Sequence, residues 1–187
     1  MTIFPQKPIL VECKYKNGWM ELVEPHLTFL DIGFGYSLMV LLKKGYKTDG
    51  ASVPKDELED SEVAKQICKL IAKHYPDKNY KETLEYLIGT PFEMPRLLAA
   101  IVHDGLYDIK WKFRWICDRI YRAILSDCNY DEVRKEIEYT GIRLLGWKNW
   151  NKVTKKHRKK MKDFVSADIV RTKKISKLKK KMIEKYG

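Results

Sequence analysis

The chain lacks any apolar run long enough to cross a bilayer. Its longest, residues 38–42 and 97–102, fall far short of the roughly 18 residues a spanning helix needs. The N-terminal stretch MTIFPQKPILVECKYKNG has none of the basic, apolar and small-residue layout of a secretion signal, so synthesis and first use in the cytosol are expected. Cysteine is sparse: Cys13, Cys68, Cys117 and Cys128 are scattered, with no CxxC pair. That spacing supplies neither a zinc ribbon nor a disulfide framework, and reduced, buried or incidental thiols are expected. No zincin motif, nucleophile elbow or P-loop occurs, which removes the commonest sequence signatures of catalysis. Internal repeats are also missing, and only the lysine-rich end has low complexity.

What is present is a 187-residue chain that is 44% hydrophobic and 12% aromatic. That is enough for one packed core and excludes wholesale disorder. The formal net charge is +12, a value that suggests a polyanionic partner. Its distribution is uneven. Residues 151–187 hold 15 Lys and Arg against Asp163, Asp168 and Glu184, so 15 − 3 = +12. Residues 1–150 hold 22 of each sign and balance to zero. The expected organisation is therefore a neutral body, 1–150, and a basic tail, 151–187.

The N-terminal third reads as β. Residues 9–15 and 19–23 flank Lys16-Asn17-Gly18, and Asn-Gly favours a hairpin because both turn positions accept positive φ. Residues 36–42 (YSLMVLL) are a third strand, too continuously apolar for a wet face. An insertion at 56–90 begins acidic, then carries Val63, Ile67, Leu70 and Ile71 at helical spacing until Pro76, with a shorter helix expected at 80–88. Helices are expected from Met94, over 111–125, and over 131–145 with Gly146 as the stop. Gly105 reads as a weak point near the end of the first of these. The tail has no Pro or Gly between residues 155 and 186 and a thin apolar stripe, and reads as one or two helices. The fold class is α+β: a small antiparallel β part packed on a mainly helical part, with a basic helical tail. The five tryptophans read as core, with Trp147 and Trp150 packing back on the body.

Two segments carry chemistry-bearing residues. Residues 46–54 contain Thr48, Asp49 and Ser52, and residues 99–107 contain His103, Asp104 and Tyr107. Asp118 follows in the next helix. A buried His among carboxylates can hold a divalent metal, with His103, Asp49 and Asp104 as candidates, or run acid–base chemistry through His103, Asp104, Asp118 and Asp49, if the loop folds onto the helices. The same residues can also act as a structural lock, because an Asp in a Thr-Asp-Gly-Ala-Ser turn commonly bonds loop backbone. From spacing the lock is favoured, and no cofactor is assigned. In the tail, Lys155, Lys156, Arg158, Lys159, Lys160, Lys173, Lys174, Lys179, Lys180 and Lys181 are the candidates for contact with a polyanion or an acidic protein. With few aromatics among them, stacking on single strands is not expected.

The segments G-Y-K-T-D-G-A-S-V-P (45–54), A-A-I-V-H-D-G-L-Y (99–107), Asp118 and G-W-K-N-W (146–150) together resemble the phage and prophage family called domain of unknown function 1353. The resemblance covers residues 36–150 and departs from the family at the insertion 56–90 and the basic tail. It implies a phage origin, with Asp49, Ser52, His103, Asp104 and Asp118 as the polar core. It implies no reaction. The leading expectation is a virion-associated or assembly protein, made in the host cytoplasm, that docks on other phage structural proteins at the tail or head–tail junction. The alternatives are an Asp/His- or metal-dependent hydrolase acting on peptidoglycan, and a nucleic-acid binder working through residues 151–187.

Overall fold

A computed structural model describes residues 13–16, 19–49 and 94–175, with isolated positions 69, 72, 73 and 177. Ser52, Lys179, Lys180, Lys181, the turn Asn17-Gly18 and nearly all of the insertion 56–90 lie outside the described residues. Among the described residues, six strands form two antiparallel three-stranded sheets. β1 (Cys13–Lys16), β2 (Trp19–Leu22) and β5 (Lys47–Thr48) make one, and β3 (His26–Gly33), β4 (Tyr36–Leu42) and β6 (Val165–Arg171) the other. Among the described residues, four helices accompany the sheets: α1 (Met94–Asp108), α2 (Arg114–Asp127), α3 (Glu132–Lys152) and α4 (Lys155–Met161). The class is α+β, with strands first and helices after.

The expected hairpin is β1–β2, with Lys16 opposite Trp19, the register a two-residue connection requires. β4 occupies the expected span 36–42, and the reason for its unbroken apolar run is visible. Leu38, Val40 and Leu42 join the main core with Leu97, Ile101, Val102 and Leu106 of α1. On the opposite face Met39 packs with Phe29 and Ile175. A strand buried on both faces has no side for polar residues.

Several features correct the sequence reading. The tail is not wholly helical: α4 is a helix, but residues 165–171 are a strand, paired along its whole length to β4 from Val165 opposite Leu42 to Arg171 opposite Tyr36. Residues beyond 150 therefore complete the sheet of the body rather than forming a separate appendage. Gly146 does not stop α3, which continues to Lys152. Not all tryptophans are core: Trp111 and Trp150 pack against it, whereas Trp19, Trp115 and Trp147 are about half exposed.

The helix ends follow local chemistry. Asp131 caps α3, its carboxylate accepting from Arg134 N–H at 2.8 Å. Thr154 caps α4 through His157 N–H at 3.1 Å. α1 closes with Trp111 N–H on Leu106 C=O and Lys110 N–H on Tyr107 C=O, and Lys110 takes φ 48°. That is the left-handed closure of a Schellman motif.

Gly105 is not a weak point but the place where helix meets sheet. A Cβ there would lie 2.6 Å from Leu42 Cδ2 and 3.4 Å from Val165 Cγ1, and Leu42 is fully buried with nowhere to retreat. Gly105→Ala is expected to destabilise by about 1–3 kcal/mol through overpacking, despite the helix propensity it gains. Urea unfolding checks this, and an unchanged or higher midpoint contradicts it.

His26, opposite Leu42, is buried and its Nε2 meets Thr28 Oγ1 at 2.7 Å. Burial pulls its pKa down from 6.5 to about 4. The native state thus refuses a proton that the unfolded chain accepts below 6.5, and stability falls as pH drops from there toward 4, by up to about 3 kcal/mol. His26→Gln should flatten that slope in thermal melts taken across this range. A slope equal to the parent's would place the acid sensitivity elsewhere.

Candidate functional site

The motif residues of α1 form two adjacent stripes. His103 and Tyr107 are four apart and share a face, with ring centroids 4.0 Å apart. Asp104 and Asp108, also four apart, lie one step around the helix. The first stripe meets α2 and the second meets the loop that β5 holds in place.

At the α2 contact, Asp118 is fully buried and His103 is 6% exposed. Asp118 Oδ1 accepts from the Tyr107 hydroxyl and faces His103 Nε2 at 3.2 Å. Its Oδ2 faces Arg143 Nη1 at 2.7 Å and Arg114 Nη1 at 3.1 Å. One carboxylate thus gathers four donors from α1, α2 and α3. Burial alone would raise the Asp118 carboxyl pKa, but the hydrogen bonds from His103, Tyr107 and Arg143 outweigh it and hold the carboxyl below its ordinary range. Burial likewise would lower the His103 pKa, but its bonds to Asp104 and Asp118 and their negative charge raise it. The imidazole bridges the two carboxylates, with Nδ1 at 3.5 Å from Asp104 Oδ1.

At the loop, the Thr48 hydroxyl donates to Asp104 Oδ2 and the Tyr46 hydroxyl to Asp108 Oδ2 at 2.9 Å. His157 of α4 meets the other Asp108 oxygen, Oδ1, at 2.8 Å. Pairing of β5 with β2, Met20 opposite Thr48 and Glu21 opposite Lys47, fixes where these hydroxyls point. The Asp104 side chain is partly exposed, and burial raises its pKa, with His103 pulling it back and the charge of Asp49 adding to the rise. Asp49 itself sits at an exposed position.

The structure therefore brings together Thr48, His103, Asp104, Tyr107 and Asp118, with Asp49 close enough to act through its charge. Among the described residues, no group of three or more His, Cys, Asp or Glu is placed to hold a metal ion. The cationic candidates divide. Lys155, Lys156, Lys159 and Lys160 stand exposed on α4 with Arg158 half-buried, and Lys173 and Lys174 are exposed beyond β6.

Sequence reading missed Arg114 and Arg143, and took Gly146 for a helix stop where it allows a close approach. Arg114 precedes Asp118 by four residues, a spacing that pairs charges on a helix, and it was the one legible signal. A Cβ at Gly146 would lie 2.6 Å from the Tyr107 hydroxyl and 3.3 Å from Arg114 Nη1. That glycine lets α3 close over the buried carboxylate. Trp150 packs edge-on to Tyr107 at 5.1 Å, which explains the closing G-W-K-N-W segment. A second buried network was also missed: Glu138 takes Arg96 Nε at 3.2 Å and the hydroxyls of Tyr121 and Tyr130 at 2.5 and 2.7 Å.

Chemically, the Asp118 oxygens are fully engaged. They can hold His103 protonated and three helices in register, while Asp104 is the partly exposed end of the chain of bonds. The charged His103 contributes stability that is complete below pH 6.5 and is lost as pH rises through its raised value. Asp118→Asn leaves Arg114 and Arg143 without their counter-charge and His103 with Asp104 alone, and should cost about 3–5 kcal/mol. It should also reduce the alkaline slope that His103 confers. Chemical unfolding at two pH values checks both, and a loss under about 1 kcal/mol would show the network to be weakly coupled to stability. Comparison of the chain with protein-family models, with curated proteins and with solved structures finds no match in any of the three.

Proposed function

We propose that the protein is a bacteriophage virion-associated or assembly component that works by docking on other particle proteins, at the tail or a head–tail junction. Phage origin is inferred from the resemblance of residues 45–54, 99–107, Asp118 and 146–150 to the phage and prophage family. The observation that carries a docking role over a catalytic one is the state of Asp118. It is fully buried, and both its oxygens are engaged by Tyr107, His103, Arg114 and Arg143. A general base or nucleophile must reach its substrate, whereas this group and the imidazole beside it are spent on one another. Such a lock makes a rigid body, and rigid bodies suit permanent assembly because little freedom is lost on binding.

The test is fractionation of a phage lysate with an antibody to this chain. The protein should travel with intact particles through a density gradient, and stay with them after a high-salt wash. Its confinement to the soluble fraction would sink the proposal.

A further inference from the structure

Three aromatic side chains stand in solvent at one end of the helical layer: Phe113 at 65% exposure, Trp115 at 48% and Trp147 at 52%. α2 and α3 run antiparallel, and their contacts read as a ladder. Arg122 pairs with Glu136 and lies over the Tyr139 ring, Asp118 pairs with Arg143, and Arg114 reaches the Ile142 carbonyl. Carried toward the start of α2, the same order puts Phe113 and Trp115 at the level of the last turns of α3, where Trp147 lies. Arg119, exposed on α2, lies over the Trp115 ring at 5.9 Å.

The same end of the molecule is depleted of acid. Residues 141–162 hold nine Lys and Arg and no Asp or Glu, and residues 109–117 hold three and none. α4 is brought here by His157 on Asp108, and Lys110 lies over the Trp150 ring at 5.7 Å. Asp108 accepts from both Tyr46 and His157, and Asp118 is buried among its donors. The cations of α4 thus lie at the same end of the molecule as the start of α2 and the end of α3, which carry the exposed rings.

We infer that this surface binds a single strand of nucleic acid, with bases stacked on Trp115 and Trp147 and the phosphates following the cations of α4. Cations alone would suit any polyanion, and rings alone any apolar partner. Rings flanked by many cations and few acids, with Asp108 paired to His157 and Asp163 just past α4, match a strand with unpaired bases, since every base has a face to stack and every nucleotide a charge to neutralise. A duplex hides those faces, and a lipid surface favours aliphatic side chains along one side of a longer amphipathic helix. This role goes beyond docking on particle proteins and stands or falls separately.

The test titrates the full chain into a labelled oligothymidine of roughly 20 nucleotides, its duplex with oligoadenine, and vesicles containing anionic phosphatidylglycerol. The single strand should bind and quench tryptophan fluorescence. A Trp115→Ala/Trp147→Ala double variant should bind about 10-fold or more weakly, and Trp115→Phe/Trp147→Phe, which keeps the rings, should bind nearly as the parent. Replacing Lys155, Lys156, Lys159 and Lys160 with Ala should lower the slope of log affinity against log salt by about 3. Unchanged circular dichroism in each variant establishes that the fold is kept. Alanine variants that bind like the parent, a duplex bound as tightly as the single strand, or binding to vesicles alone would each overturn the inference.

Discussion

The close packing of α1, α2 and α3 depends on an anion that has no access to water. Asp118 sits on α2 with its charge buried, a state that costs several kcal/mol unless partners are supplied. α1 supplies His103 and Tyr107, α2 itself Arg114, and α3 Arg143. The requirement fixes more than those side chains. α3 must approach closely enough for Arg143 to reach, which needs a residue with no side chain at Gly146. α1 must lie flat enough on β4 for its inward stripe to point at α2, which needs the same at Gly105. The two glycines and the carboxylate form one constraint, because a shift at either contact would withdraw donors from a charge that cannot be left bare.

The connection continues outward through His103 to Asp104, and from Asp104 to the Thr48 hydroxyl. The loop after β4 is thus tied to the helical layer by polar bonds rather than by apolar packing alone. Tyr46 and His157 repeat the arrangement at Asp108, one turn further along α1, and bind α4 into the same set. The motif residues join four parts of the chain that are distant in sequence.

Much of this was legible from residue order. The strand at 36–42 and the three main helices follow from local period, and the motif segments marked Thr48, Asp49, His103, Asp104, Tyr107 and Asp118 as candidates while leaving open whether the loop folds onto the helices. What stayed hidden depended on distant pairing. β6 reads VSADIVR, with Asp168 and Arg171 breaking any clean alternation, and its strand state comes from lying against the buried β4. Gly105 and Gly146 looked like interruptions because helix propensity is a local property, while their use is a close approach by another element. Arg143 carries no local sign of its partner, which lies 25 residues earlier. The exposure of Trp115 and Trp147 was misjudged for a related reason: composition favours burial of tryptophan, and only the register of α2 against α3 shows which rings are left outside.

The late arrival of β6 has a consequence for how the chain reaches this state. Ser37 and Thr172, whose hydroxyls meet at 3.0 Å, are 135 residues apart, so the central strand β4 waits for most of the polypeptide before its second neighbour exists. Non-local pairing of this kind slows folding, since a long loop must close before any contact rewards it. During synthesis β4 offers one unpaired edge and an apolar face, the type of surface on which nascent chains associate wrongly. The helices can assemble around Asp118 earlier, because their contacts are nearer in sequence. The segment richest in positive charge is thus also the one whose arrival finishes the sheet.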